Sequence, residues 1–131
     1  SRAAITALKI NWVVRNLLVP KVEAKFPELK NKGYNLAHCT GIDVSQVLVV
    51  RAGIHKSNAL VWIGRPPNVA AKLSGIRDAP YNTFISHSVF GSLAEDAKLS
   101  GDSKTLMWEE RVWKAMPSVS KVYRSSWTCH P

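Results

Sequence analysis

The sequence has little cysteine, glycine and proline, and few acidic residues. Its 131 residues include 2 cysteines, 7 glycines and 7 prolines, and 9 Asp+Glu stand against 18 Lys+Arg. Cys39 and Cys129 are too few for a disulfide framework and lack zinc-ligand spacing, so we expect free thiols in a cytoplasmic protein. The glycines and prolines follow no period, which excludes collagen-like and low-complexity chains.

Long hydrophobic runs are also missing. No apolar run approaches the roughly 20 residues that cross a bilayer, so the sequence predicts no transmembrane helix. A secretory signal is not recognisable either, because the first residues lead directly into an amphipathic segment. The chain begins with Ser1 and not with Met. We therefore expect it to be part of a longer protein.

What remains is a globular composition with an excess of positive charge. Hydrophobic residues make up 46% and charged residues 21%, and the formal net charge is +9. This composition excludes wholesale disorder, and the length predicts a single domain over residues 1–131. Phosphate-bearing molecules complement a basic surface, whether the phosphate belongs to a nucleic acid or to a small nucleotide. Charge alone leaves both partners open.

The start of the chain has helical periodicity. Apolar side chains at three- and four-residue spacing predict a helix over residues 1–19. The residues of the expected buried stripe are Ile5, Leu8, Trp12, Val13 and Leu17. Pro20 is expected to end or bend this helix, and a mixed stretch of helical turn and loop follows to residue 32.

From residue 34 the pattern changes to that of strands. Segments 34–43 and 46–51 predict a hairpin, residues 53–58 a loop, and the apolar run 60–63 a buried strand. Residues 64–67 start a helix, with proline in its first turn, and Ser74 and Gly75 stop it. The remaining predictions are a strand at 83–86, a small helix at 88–99, a turn at 101–103, and strands at 106–113 and 121–127. This order predicts an α+β domain.

Most of the five tryptophans fall on these elements. They are Trp12 on the helix stripe and Trp108, Trp113 and Trp127 on the late strands. Such positions predict the core or a dimer interface more than a base-stacking surface. Trp62 differs, because it lies in the apolar run 60–63 next to the candidate site, where it is a candidate to line a pocket.

That candidate site is the junction of a strand, Gly64 and a helix. Asn68 and Lys72 are four residues apart, so on a helix they lie on one face with about 5–6 Å between their Cβ atoms. Asn68 falls in the first turn, where backbone N–H groups favour anions, and Arg65 adds a second cation. An amide and a point charge there suit a phosphorylated substrate. Spacing alone also allows Asn68 to be a simple helix-start residue and Lys72 a solvated one.

The order of these motifs resembles the catalytic domain of class III nucleotide cyclases. Gly-Ile-Asp-Val-Ser at 41–45, Trp-Ile-Gly at 62–64 and Asn-Val-Ala-Ala-Lys at 68–72 are similar to that family's hairpin strand, strand end and helix start. Within the family, the chain looks most like the pyrimidine cyclases of Pycsar antiphage defence. The resemblance implies a ferredoxin-like palm, a mixed sheet with helices on one face, of which this chain is the C-terminal part.

The resemblance also implies an activity. Pycsar cyclases are homodimers that convert UTP or CTP to the 3′,5′-cyclic monophosphate and pyrophosphate, and the product activates a separate effector. In their pattern Asn68 matches the asparagine that orients the ribose, and Lys72 stands where most cyclases have an arginine that binds the triphosphate. Val61 stands where purine cyclases have the aspartate that reads the base, and Trp62 and Arg65 are the other candidates for substrate binding. Val61 lacks the usual purine contact and therefore agrees with a pyrimidine substrate. Of the two pyrimidine nucleotides, we put UTP ahead of CTP.

The family reaction uses two divalent cations, Mg²⁺ or Mn²⁺, held by two aspartates. This chain offers no match, because Asp43 is at a different motif position and Asp78, Asp96 and Asp102 fall in or near predicted turns. The resemblance therefore implies that the metal ligands lie in a missing upstream part. We expect this chain alone to be inactive.

Two rival functions stay open from the sequence. One is a degenerate cyclase-like domain that binds a nucleotide for regulation, because Val61 also suits an inactive relative. The other is a basic nucleic-acid-binding module, which only the net charge of +9 supports.

Overall fold

A computed structural model provides the structure of the chain. It describes residues 1–54, 57–101, 103–117 and 119–131. The helices are α1 (Arg2–Val13), a π-helical segment (Val14–Leu18), α2 (Val19–Lys25), α3 (Pro27–Asn31), α4 (Arg65–Ser74), α5 (His87–Gly91) and α6 (Glu95–Lys98). The strands are β1 (Thr40–Ile42), β2 (Leu48–Ile54), β3 (Ser57–Ile63), β4 (Thr83–Ser86), β5 (Glu109–Val112) and β6 (Lys121–Ser125).

The N-terminal helix is confirmed, and it does not end at Pro20. The chain stays helical from α1 through the π-helical segment into α2, and Pro20 lies in the first turn of α2. Proline inside an α-helix leaves a carbonyl without its N–H and crowds it. The wider π turn, in which the Val19 N–H donates to the Val14 carbonyl, accommodates that proline. The stretch up to residue 32, predicted as a turn of helix and a loop, is more helical than expected and contains α2 and α3.

The buried face of α1 also differs from the expected stripe. Its buried residues are Ala4, Ala7, Leu8 and Asn11, whereas Leu17 is 42% exposed. The π turn changes the phase of the side chains after Val13, so the stripe does not continue to Leu17.

The predicted hairpin of residues 34–43 and 46–51 is wrong. β1 pairs in parallel with β4, and the main sheet has the order β1-β4-β6-β5, with antiparallel pairing of β6 to β4 and β5. A parallel pair needs a crossover, which α4 provides. The actual hairpin is β2–β3, with Leu48 opposite Ile63. Gly53 in the predicted loop is strand, and residues 55 and 56 lie outside the described part.

The sheet is covered by helices on both faces, so the expectation of helices on one face is wrong. Phe84 and Ile85 are neighbours on β4 and therefore face opposite ways. Phe84 packs with Val69 and Leu73 of α4. Ile85 packs with Leu8 of α1, together with buried residues around α5 and α6. All of β4 is buried, and a strand buried on both faces needs cover on both. The α+β class with a mixed sheet is confirmed.

The run 60–63 forms a strand as predicted, but it is exposed and not buried. The side chains of Leu48, Leu60, Trp62 and Ile63 are 62%, 58%, 57% and 52% exposed. They belong to the separate two-stranded sheet β2–β3, and hairpins of this kind are marginally stable by themselves. A run of apolar residues in the sequence does not distinguish a strand that is buried in its own domain from one that is exposed at its surface.

The C-terminal half follows the predicted order with shorter elements. The helix predicted at 88–99 is divided into α5 and α6, and β5 and β6 are shorter than the strands predicted at 106–113 and 121–127. Gly101 and Ser103 lie in a turn as expected, and Asp102 lies outside the described residues. Trp108 is a core residue, because it is 2% exposed and its Nε1 donates to the Ala97 carbonyl at 2.7 Å.

Both cysteines are free thiols, as expected. Cys39 packs with the core cluster under α4 and Cys129 with the cluster under α1, so the sheet separates them. Burial raises the pKa of the Cys39 thiol. None of the helices in the described ranges combines the length and apolarity needed to cross a bilayer.

Candidate functional site

The turn from β3 into α4 is set by Gly64. Its φ of +153° belongs to a region that side-chain-bearing residues rarely adopt, and an added Cβ would lie 3.2 Å from the Gln46 carbonyl oxygen. Pro66 and Pro67 then occupy the first turn of α4, where a missing N–H is not needed. This sequence therefore turns the chain directly from the hairpin into the helix.

Asn68 and Lys72 lie on the exposed side of α4. The buried side of that helix consists of Pro66, Val69 and Leu73. Asn68 and Lys72 are both exposed and one helical turn apart, so their amide and ammonium groups are presented together. The predicted helix is confirmed, and it gives these two side chains a common face.

Arg65, by contrast, is engaged within the protein. Its Nη2 lies 3.1 Å from Oδ1 of Asp43, and it also donates to the Val44 carbonyl at 3.4 Å and to Ser88 Oγ at 3.5 Å. The Asp43 side chain is 0% exposed and that of Arg65 is 35% exposed. Arg65 thus joins the end of β1 to the start of α4 and the first turn of α5.

A cleft of about 210 Å³ lies next to this ion pair. The residues that line it are Arg65, Ser86, His87, Ser88, Val119, Ser120 and Lys121. Its two permanent cations are both paired, Arg65 with Asp43 and Lys121 with Glu110 at 2.9 Å. The hydrogen bond to Glu110 raises the pKa of Lys121. Asn68 and Lys72 do not line this cleft.

Val61 and Trp62 lie on opposite faces of the β2–β3 hairpin. Val61 is opposite Val50 and Trp62 is opposite Val49, and successive side chains on a strand alternate. Val61 therefore shares its face with Leu48, Val50 and Ile63, and these four side chains are all aliphatic. Both residues are exposed, at 41% and 57%. The structure thus groups Asn68 with Lys72, holds Arg65 on Asp43, and leaves Val61 and Trp62 on the exposed hairpin.

The residues present do not by themselves fit a divalent-metal site. Within the described ranges, no group of three His, Cys, Asp or Glu side chains could hold an ion. Asp43 is buried against Arg65, and Asp78 pairs with Arg111 and Arg124. Asp96 lies in the first turn of α6. No chemical step can therefore be assigned to a metal held by these side chains.

Sequence reasoning missed a second ion cluster, formed by β5, β6 and the segment between α4 and β4. Arg124 donates to Asp78 and Glu109, at 2.6 Å each, and lies 3.8 Å above the ring of Tyr81. The hydrogen bonds from Arg124 and Tyr81 lower the pKa of Glu109, and the bond to Glu109 raises the pKa of Tyr81. The pairing of Glu109 with Arg124 depends on the β5–β6 register, and no local signal in the sequence specifies that register.

Three curated proteins are similar to the chain along most or all of its length. A uridylate cyclase of Rhodovulum sp. (strain MB263) is 40% identical over 131 residues, which is 100% of this chain and 55% of that protein. Uridylate cyclases of Xanthomonas perforans and Burkholderia cepacia are 39% and 37% identical over 127 and 125 residues. Those matches cover 97% and 95% of this chain, and 52% and 50% of the two relatives. No protein-family profile matches the chain.

This chain is related to the uridylate cyclases. The resemblance drawn from residues 41–45, 62–64 and 68–72 is thereby confirmed at the level of the whole chain. The chain spans about half the length of the curated relatives it matches.

Proposed function

We propose that the protein to which this chain belongs is a pyrimidine nucleotide cyclase. Its substrate is UTP, with CTP as the second choice, and its products are the 3′,5′-cyclic monophosphate and pyrophosphate. The observation that carries the proposal is similarity to uridylate cyclases over all 131 residues, combined with the exposed pair Asn68 and Lys72. The proposal includes a role of the product as a second messenger in antiphage defence, acting on a separate effector.

In this reaction the ribose 3′ oxygen attacks the α-phosphorus. A new P–O bond closes the ring while the bond to pyrophosphate breaks, and the 3′ hydroxyl loses its proton. Asn68, whose amide both donates and accepts, orients the ribose. Lys72 binds the triphosphate as a point charge without the two-pronged geometry of an arginine. Both side chains are exposed on α4 and free of buried packing, which suits contact with a ligand that arrives from outside.

Base selection is assigned to the hairpin. Val61 cannot accept a hydrogen bond from an exocyclic amine, so an adenine amino group buried against it loses about 1–3 kcal/mol. Trp62 offers an aromatic surface on the opposite face of the same hairpin. Arg65 is proposed to act through its bond to Asp43 and not as a direct phosphate ligand, because its guanidinium already has three oxygen partners.

The active protein is proposed to be a homodimer that uses Mg²⁺ or Mn²⁺. The aliphatic hairpin face of Leu48, Val50, Val61 and Ile63 is exposed and supports a dimer, since exposed apolar patches mark interaction sites. The metal ligands are placed outside the described residues of this chain, because those residues do not form a suitable site.

The decisive experiment uses the full-length protein. It is incubated with each of the four nucleoside triphosphates and Mn²⁺, and cyclic products are separated by chromatography and identified by mass. We expect cyclic UMP as the main product. Product from ATP or GTP alone would overturn the pyrimidine assignment, and nucleotide binding without turnover would favour the degenerate regulatory domain.

A further inference from the structure

The ion pair of Asp43 and Arg65 lies where three elements meet. Asp43 directly follows β1, Arg65 is the first residue of α4, and Ser88 belongs to the first turn of α5. From α4, Arg65 contacts both other segments: Asp43 Oδ1 at 3.1 Å and the Val44 carbonyl at 3.4 Å after β1, and Ser88 Oγ at 3.5 Å in α5. One guanidinium therefore holds together the ends of a parallel strand pair and the helix that connects them.

Burial makes this pair sensitive to the loss of either partner. The Asp43 side chain is 0% exposed, so water does not compensate its charge. Among the described residues, Asp43 Oδ2 and Arg65 Nε have no hydrogen-bond partner, so the contact between Nη2 and Oδ1 is the main neutralising interaction. Removal of Arg65 would leave a buried carboxylate without its neutralising partner.

The N-terminal end of α4 depends on the pair for its position. Gly64 stands at the N-cap and has no side chain, and Pro66 and Pro67 have no N–H to donate. Asn68 is three residues after Arg65, so the two side chains lie on neighbouring positions of the same turn. A displacement of that turn therefore moves the Asn68 amide.

We propose that Asp43 and Arg65 form a positioning pair that fixes the first turn of α4 and so places Asn68 for the reaction. The inference rests on the proposed cyclase function. Arg65 acts through the helix and not on the substrate. Both members of the pair are therefore needed for turnover to the same extent, although the Asp43 side chain is buried.

The test compares Asp43→Asn, Arg65→Gln and the double variant in the full-length protein. A positioning role predicts that each single variant lowers kcat by about tenfold or more while KM for UTP changes less than about twofold. The kcat of the double variant should lie within about twofold of the kcat of the more impaired single variant, because the two residues act as one unit. A rise of KM in Arg65→Gln that is absent in Asp43→Asn would mean that Arg65 binds the triphosphate, and it would overturn the inference.

The matched control is Asp78→Asn, which removes a carboxylate from Arg124 of β6. It should lower the melting temperature but leave kcat within about twofold of the wild type, because Asp78 lies after the C-terminal end of α4 and pairs with Arg111 and Arg124. An equal loss of kcat in this control would make the effect of Asp43→Asn one of general stability. If Asp43→Asn does not fold, Arg65→Lys replaces it, since it keeps the charge and loses the reach to Val44 and Ser88.

A second measurement separates this inference from the proposed function. Hydrogen exchange of the α4 amides should be about tenfold faster or more in Asp43→Asn than in the wild type, and unchanged in Asp78→Asn. This result holds whether or not the wild type turns over UTP. Absence of cyclase activity in the wild type would contradict the proposed function. Unaltered hydrogen exchange of α4 in Asp43→Asn would contradict the positioning pair.

Discussion

At the scale of single residues, exposure decides which side chains can meet a substrate. Asn68 and Lys72 project from α4 into solvent, whereas Val69 and Leu73 on the same helix are fully buried. Truncation of the exposed pair therefore removes functional groups with little loss of packing. Arg65 illustrates the opposite case, because a cation that the sequence suggests for phosphate binding is held by the buried Asp43.

Asn68→Ala and Lys72→Ala should each lower kcat/KM for UTP in the full-length protein by about tenfold to a hundredfold, because each removes a group proposed to contact the reacting nucleotide. The free energy of unfolding should change by no more than about 0.5 kcal/mol in either variant, since both side chains are on the surface. Steady-state kinetics and urea unfolding check the two expectations. Lys21→Ala, at an exposed lysine of α2, is the control and should leave both quantities unchanged. Wild-type rates in Asn68→Ala and Lys72→Ala together would refute the site.

At the scale of elements, α4 packs directly on the backbone of β1. A Cβ at Gly41 would lie 2.6 Å from the Ser74 amide nitrogen and would also overlap the Ala70 carbonyl. Gly41→Ala should therefore force α4 away from β1 and destabilise the protein by about 1–3 kcal/mol, as overpacked cores do. Denaturant unfolding measures this loss. Gly91→Ala in α5 has open space around the added methyl group and should be neutral, and equal stability of the two variants would contradict the close packing.

The β5–β6 pair should give the protein a specific sensitivity to acid. Hydrogen bonds from Arg124 and Tyr81 lower the pKa of Glu109 below its ordinary value of 4.5. A depressed folded pKa means that this stabilisation is complete above the unfolded pKa and is lost as the pH falls through the folded one. The melting temperature should therefore fall less between about pH 6 and about pH 3 in Glu109→Gln than in the wild type. Thermal melts across that range provide the measurement, and Glu28→Gln on the exposed surface of α3 should retain the wild-type slope. Identical slopes in all three proteins would argue against the cluster.

At the scale of the whole molecule, the β2–β3 hairpin lacks a covering surface within the described residues. Its aliphatic face is proposed to meet a second copy of the protein. Leu48→Glu should halve the molar mass measured by light scattering, because it places a charge in that contact. Val112→Glu is the matched control, since Val112 is 64% exposed on β5 and Leu48 is 62% exposed on β2. A monomeric wild type, or a Leu48→Glu variant with the full dimer mass, would remove the support for the dimer.

Local pattern was sufficient for several features of this protein. The helix at residues 68–73, the strand at 83–86 and the common face of Asn68 and Lys72 could be predicted, because periodicity and the residues that stop a helix act over one or two turns. The motif order at 41–45, 62–64 and 68–72 likewise identified the relatives. The excess of positive charge could be counted from the sequence. Which of the cations are paired within the protein could not be predicted, because pairing with carboxylates depends on distant residues.

Only the tertiary structure decided how these pieces combine. β1 pairs in parallel with β4, some 40 residues away in the chain, and not with the neighbouring segment, since the crossover through α4 brings those strands together. The same fold buries Asp43 against Arg65 and leaves the apolar run 60–63 in solvent. Sequence thus determined the local conformation and which side chains are proposed to act on the nucleotide. Burial and long-range pairing determined which of them are free to act, because both arise from contacts between residues that no local pattern relates.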